Sequence, residues 1–381
     1  VEPINRIEQA YRTLTSQGRE VLKLFSGNPN EQGFHFPKEI LDAVYRRYFE
    51  RQEYHPHPKG LPAARQAISE YYARQAASVD PEDIVLTSGT SESFFYLFSL
   101  LAKPGDNILT PNPAYPLFDH IADLARVELR HYQLKEENRW SIDYEDLRRK
   151  TDDRTKAILL ISPNNPTGAV HSEEEIEQVV DWANRKEIPL ICDEVFSEFY
   201  FGEGKFPRPM TVAKPRLCFT LNGISKMFAL PALKLGWIAV TGEKSLVDPF
   251  VDRLETTADT FLSCHIPIQE ALPDLFSKGQ DFLKSYREEV GRRRGLAIKI
   301  LRQSPTIHFV EPVGGFYLMA SVDTKLSEED FVIRLMQEKN IFVHPGYFYD
   351  YEKGIHVVVS FLLKEKSLER AVLSLVDFVS R

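Results

Sequence analysis

Residues 221–237 read LNGISKMFALPALKLGW and set two lysines, Lys226 and Lys234, among apolar and small residues. Lysine is seldom buried without a partner, so each needs a reason to be there. The stretch joins two short apolar runs, RLCFTLNG and KLGWIAVTG, which read as strands. Outward from it the same rhythm holds from about residue 60. DIVLTSG, DNILTP, VELRHYQL, TKAILLISP and IPLICDE are strand-like, while GLPAARQAISEYYARQ and SESFFYLFSLLA are helix-like. SEEEIEQVVDWANRK opens on Ser172 with Glu175 three residues later, a helix-capping pair. Strands alternating with helices predict an α/β fold whose mostly parallel sheet is covered by helices. From about residue 270 long charged helical segments surround IHFVEP, GGFYLMAS and GIHVVVSF, which predicts a smaller α+β lobe.

The bulk numbers narrow the function. A chain of 381 residues exceeds one usual core, so two domains are expected. A formal charge of −8 argues against nucleic acid as the main partner. Cys192, Cys218 and Cys264 are odd in number, far apart and set in apolar runs, so they read as buried thiols of a reducing compartment. No apolar run approaches the roughly 18–20 residues of a membrane span. The opening VEPINRIEQAYRTL is polar and helix-like rather than a signal peptide. The expectation is a soluble cytoplasmic protein with no membrane partner. Neither G-x-G-x-x-G nor G-x-S-x-G occurs, which disfavours a dinucleotide dehydrogenase and a serine hydrolase.

In open sheets of this kind ligands sit beyond the carboxyl ends of the strands. Those ends carry SGTSES, NPAYP, PNNPTG, Asp193 and Ile-Ser-Lys226 in turn. A desolvated lysine loses its proton more easily and forms Schiff bases. The aldehyde it would hold most economically is pyridoxal 5'-phosphate. That cofactor needs a carboxylate at its pyridine nitrogen and a cradle of backbone N–H groups for its phosphate. It also needs an aromatic face and a donor to its phenolic oxygen. Asp193, the turn Gly89-Thr90-Ser91, Tyr115 and Asn165 supply these in order. Taken singly, each has an ordinary reading: Asp193 and SGTSE as helix caps, Tyr115 as core, PNNPTG as a turn, the lysine as a snorkelling surface residue. Their joint order carries the inference.

The series SGTSE, NPAYP, NNPTG, ICDE and SK resembles the class I/II aminotransferases, the fold-type I pyridoxal-phosphate enzymes. The likeness runs from LFSGNPN near residue 25 through KGLPAARQAI to GGFY and HPGYFY. It implies a large domain over residues 45–268 with a mostly parallel seven-stranded sheet, and a small domain from residues 1–44 and 269–381. It implies that Lys226 is the Schiff-base lysine and proton shuttle, that Asp193 pairs with the pyridine nitrogen and that Asn165 meets the phenolic oxygen. Tyr115 would stack on the ring, and Gly27 would lie by the substrate. Such enzymes are usually homodimers with shared sites. The implied activity is ping-pong transamination between an amino acid and a 2-oxo acid. The alternative is a lyase, such as a β-eliminating enzyme, on the same fold. A DNA-binding sensor is disfavoured, since only about 20 residues precede LFSGNPN.

Several positions depart from the family pattern. Phe196 stands where a tyrosine usually meets the phenolic oxygen, so the Schiff base is expected to hold its proton to higher pH. Lys234 stands for a phosphate-gripping arginine and gives a less directional contact. Gly223 replaces a phosphate-binding serine, with Thr90, Ser91 or Ser225 as possible substitutes. Either Tyr54 or His55 is expected to reach a neighbouring subunit's phosphate. The YHPHP segment also offers a His-x-His pair, but without a third metal ligand. Finally, Val358 occupies the place of the arginine that binds the substrate carboxylate. Two-residue periodicity puts His356, Val358 and Ser360 on one strand face. Three explanations stand: another cation, a weak hold by His356 or Ser360 with Asn165, or an unusual substrate.

Overall fold

The computed structural model describes residues 5–380. In chain order its strands are β1 (Leu22–Lys23), β2 (Ile84–Thr87), β3 (Asn107–Asn112), β4 (Glu128–Lys135), β5 (Ser141–Ile142), β6 (Thr155–Ile161) and β7 (Leu190–Asp193). There follow β8 (Leu217–Gly223), β9 (Gly236–Gly242), β10 (Ile307–Phe309), β11 (Tyr317–Val322), β12 (Ile341–Phe342), β13 (His344–Pro345) and β14 (His356–Ser360).

The seven strand-like runs of the middle of the chain form one sheet in the order β2-β9-β8-β7-β6-β3-β4, and β5 adds an eighth strand at the edge. β5 pairs antiparallel with the end of β4 and is only two residues long, too short to leave a pattern in the sequence. β8, β7, β6, β3 and β4 run parallel, whereas β9 is antiparallel to both its neighbours. The carboxyl ends of β2, β3, β6, β7 and β8 therefore meet at one end of the sheet, where β9 begins.

The central strands β6, β7 and β8 are buried along nearly their whole length because both faces are covered. Along β6, Ile158 and Leu160 enter one core, while Ala157, Leu159 and Ile161 enter the other. Helix Glu173–Lys186 closes the first side with Ile176, Val179, Val180 and Ala183, and its N-terminus carries the expected capping box of Ser172 and Glu175. Helices Thr90–Leu101 and Lys244–Phe261 close the second with Phe94, Leu97, Val247, Val251 and Leu254.

The tail builds a separate antiparallel sheet in the order β10-β11-β14-β13. The N-terminal helix Arg6–Ser16 joins this side of the molecule: Arg6 pairs with Glu329 at 2.6 Å and Asp330 at 2.9 Å, and β1 pairs in parallel with β12. Positions 45 and 268 fall inside helices Lys38–Arg51 and Ile266–Lys278, so a division there cuts no exposed linker. All three cysteines are free and buried, with the Cys192 and Cys218 sulfurs 3.5 Å apart on adjacent strands. Among the described residues, no helix is long and apolar enough to cross a membrane.

Candidate active site

At the carboxyl end of the large sheet lies a cavity of about 300 Å³, within the size range of small-molecule sites. Gly89, Thr90, Ser91, Tyr115, Asn165, Asp193, Ser225, Lys226 and Lys234 all line it. Residues spread over 145 positions of sequence are brought together because five parallel strands end there.

Lys226 follows β8 by three residues, in the short helix Ile224–Met227. Its Nζ donates to the Gly27 carbonyl at 3.2 Å and lies 5.9 Å from the centre of the Phe196 ring, and among the described residues it forms no ion pair. Burial therefore lowers its pKa to about 8. Asp193 ends β7, buried, with Oδ1 accepting from the Val195 N–H at 3.1 Å. Burial pushes its pKa up to about 7, an effect that the Val195 bond opposes and the neighbouring Glu194 reinforces. Asn165 presents a buried Oδ1 with no hydrogen-bond partner among the described residues. Tyr115 is 44% exposed and forms an edge-on contact with Phe118.

One end of the cavity is shaped to receive an anion. Helix Thr90–Leu101 opens on Gly89 at φ +102°, a conformation that glycine adopts without steric cost. Its unpaired N–H groups and positive dipole end point at the space. Gly236 at the start of β9 packs so tightly beneath this turn that an added Cβ would lie 3.0 Å from the Thr90 nitrogen. Lys234 brings its ammonium within 3.6 Å of where a Cβ on Gly89 would be. A cationic arm and a helix N-terminus thus meet at one spot, and Ser91 and Ser225 also line the cavity.

The family model for "Aminotransferase class I and II" matches residues 19–375. The chain belongs to this family. The glutamate-pyruvate aminotransferase AlaA of Haemophilus influenzae is 30% identical over 375 residues, covering 96% of this chain and 92% of that protein. The alanine aminotransferase of Mycobacterium bovis is 29% identical, covering 98% and 89%. Among solved structures, the alanine aminotransferase of Pyrococcus furiosus superposes with a TM-score of 0.92 at 28% identity, covering 98% of this chain and 96% of that one.

Of the expected substrate residues, Gly27, His356 and Ser360 are not among those lining the cavity. His356 is buried in β14, with its Nε2 3.0 Å from Glu136 and its backbone N–H donating to Glu328 at 2.7 Å. Ser360 is also buried, its hydroxyl donating to the Ser26 carbonyl at 2.7 Å. Both groups are thus engaged within the fold. Tyr54 and His55 lie in the exposed loop after helix Lys38–Arg51 and do not line this cavity. His55 is 4.0 Å from Glu53, and among the described residues neither it nor His57 belongs to a cluster able to share a metal ion.

Gly27 is placed by contact rather than by chemistry. A Cβ there would fall 1.8 Å from the Tyr317 hydroxyl, so no side chain fits. Tyr317 itself lines the cavity and was not singled out from sequence, although its GGFY motif stood out. Opposite Tyr317 in the sheet is Ser360, so Val358, two residues away, points to the same face. Val358 is fully buried there, between its cross-strand neighbours Met319 and His344. Among the described residues, the only cations lining the cavity are Lys226 and Lys234.

Phe196 lies buried on the cavity wall, edge-on to Phe316 at 4.9 Å, and offers no hydrogen-bond donor. Gly223 has a packing reason that the sequence did not reveal. A Cβ there would meet the Leu235 carbonyl at 2.8 Å and the Gly236 Cα at 3.1 Å, backbone atoms that cannot turn aside. Gly223→Ser is thus expected to lower the unfolding free energy by about 1–3 kcal/mol. Denaturant unfolding checks this; a variant as stable as the parent would show that β8 and β9 can separate here.

Proposed function

We propose that the protein is a pyridoxal-phosphate-dependent transaminase that exchanges the amino group of an amino acid with a 2-oxo acid. The observation that carries this reading is the convergence of Lys226, Asp193 and the unpartnered Asn165 Oδ1 in a cavity that ends in an anion cradle. These residues fit the cofactor. Lys226 would hold it covalently, Asp193 would sit at its ring nitrogen, and Asn165 would meet its phenolic oxygen, the side-chain amide turned to donate. Tyr115 would cover its face, and Gly89, Thr90, Ser91, Ser225 and Lys234 would hold its phosphate. When bound, the group supplies an aldehyde carbon and an electron-accepting ring.

The chain's own residues account for the rest. Burial keeps an appreciable fraction of Lys226 neutral near pH 7–8, so Nζ is available both as nucleophile and as the base that moves the substrate's Cα proton. The Asp193 carboxylate, costly to ionise when alone, becomes favourable once a protonated ring nitrogen pairs with it. The same reading makes the enzyme a cytoplasmic homodimer in which Tyr54 or His55 reaches the neighbouring site. It also divides the chain into a larger cofactor-binding part and a smaller part made of both chain ends.

The test is to mix the cofactor-loaded protein with single amino acids and follow the cofactor's absorbance. A donor should convert it to the amine form, and a 2-oxo acid should restore it. Release of ammonia and pyruvate from one donor would instead identify a lyase. The pH dependence gives a second check. Capture of an added aldehyde by Lys226, trapped with hydride, should quicken about tenfold from pH 7 to 9 and then level off. An ordinary lysine would still be climbing steeply at pH 9.

A further inference from the structure

Three side chains able to share a metal ion meet just outside the cavity, behind one of its walls. Asp119 lies on helix Leu117–Ala125, His131 lies on β4, and Asp350 follows the short helix Gly346–Tyr349 of the tail. One ligand atom from each lies within 4.8 Å of those of the other two. His131 Nε2 stands 3.9 Å from Asp119 Oδ1, too far for a hydrogen bond but close to the spacing of two ligands on one ion. Among the described residues neither carboxylate accepts a hydrogen bond or pairs with a lysine or arginine. Two carboxylates set together in this way repel each other unless a cation joins them.

Strand β3 holds the trio in place. Thr110 and Asn112, two residues apart on this strand, are both buried. Thr110 faces His131 across the β3–β4 pair, with Oγ1 2.9 Å from Nδ1. With Nδ1–H donating to that oxygen, the lone pair of Nε2 is left for a ligand, the orientation usual for metal-binding imidazoles. Asn112 Nδ2 donates to the Asp350 carbonyl at 2.7 Å and so ties the tail to the end of the same strand.

We propose that Asp119, His131 and Asp350 bind one divalent transition-metal ion of the zinc type, through two carboxylate oxygens and one imidazole nitrogen. An imidazole in the set suits zinc, cobalt, nickel or manganese better than calcium or magnesium, which take oxygen ligands. Three protein ligands leave a position for water. Ligands at the usual roughly 2.0–2.2 Å stand about 3–4 Å apart, so a contraction of about 1 Å completes the site. The exposed Asp350 side chain can supply it by turning inward. The ion would join the tail to helix Leu117–Ala125, whose Leu117, Phe118 and Ile121 line the cavity. It would touch none of the groups assigned to transamination, and its bearing on the reaction is through the position of that wall.

The test is calorimetric titration of the cofactor-loaded, metal-stripped protein with zinc chloride, with the bound metal counted after dialysis. Saturable binding of one ion per chain is expected, with an unfolding midpoint that rises with free zinc. Asp350→Ala and His131→Gln should each weaken binding at least tenfold, and Asp350→Ala should unfold at the parent's midpoint without zinc. His55→Ala, which breaks the separate His55-x-His57 pair, should leave binding unchanged. Cobalt in place of zinc should give visible d–d bands in the parent that Asp350→Ala loses. Absence of saturable binding, equal affinity in the parent and Asp350→Ala, loss of the ion in His55→Ala, or equal competition by magnesium overturns the proposal.

Discussion

Lys226→Ala should reduce transamination by on the order of 10⁴-fold, because in the proposed mechanism one nitrogen would be both nucleophile and proton carrier. No other amine can stand in. The second cation of the cavity, Lys234, sits at the anion end beside Gly89. The fold should survive, since Lys226 contributes a single hydrogen bond, to Gly27, and burial works against its charge. Two measurements check this. The turnover number should collapse while the unfolding midpoint of the cofactor-free protein stays the same or rises. Hydride reduction followed by peptide mapping should label Lys226 in the parent and nothing in the variant. Labelling of a different lysine in the parent would remove Lys226 from its role.

Asp193→Asn should lower the turnover number by roughly 10²–10³-fold, the scale of losing one charge aimed at a developing centre. It should also separate stability from activity. The folded-state pKa of Asp193, about 7, lies above its ordinary value near 3.8. The fold therefore binds a proton that the unfolded chain releases between those limits, and stability falls as pH rises through that window. The loss is absent below about pH 4 and complete above about pH 7. Asparagine removes the titration. The cofactor-free variant should match the parent at pH 4 and exceed it at pH 8, by an order of magnitude of a few kcal/mol. Denaturant melts at the two pH values decide it; a parent whose stability is flat from pH 4 to 8 would show that Asp193 is solvated.

The strand runs and the polar groups at their ends were legible because buried strands such as β6, β7 and β8 are apolar along most of their length and stop abruptly at polar groups. Asp193 after IPLIC and Lys226 after CFTLNG are such stops. Period-two reasoning also put His356, Val358 and Ser360 on the correct shared face. It could not say what packs on that face. Glu136, 220 residues away, engages the His356 ring, and the Ser26 carbonyl takes the Ser360 hydroxyl. Glycines misled in the opposite direction: Gly223 read as a lost hydroxyl, whereas the close approach of Leu235 forbids any side chain.

The reversed strand β9 has a further consequence. Because β8 and β9 run antiparallel and pair directly, from Leu217↔Gly242 to Gly223↔Gly236, Lys226 and Lys234 lie in one connecting segment of the chain. That segment can open only by fraying the paired end, Gly223↔Gly236, which itself carries no side chain to hold it shut. A ligand gripped at Lys226 and Lys234 would bridge both arms of this connection. Amide exchange at residues 223–236 should then be the part of the protein most slowed by cofactor, and release of the cofactor and local opening there should be one cooperative event.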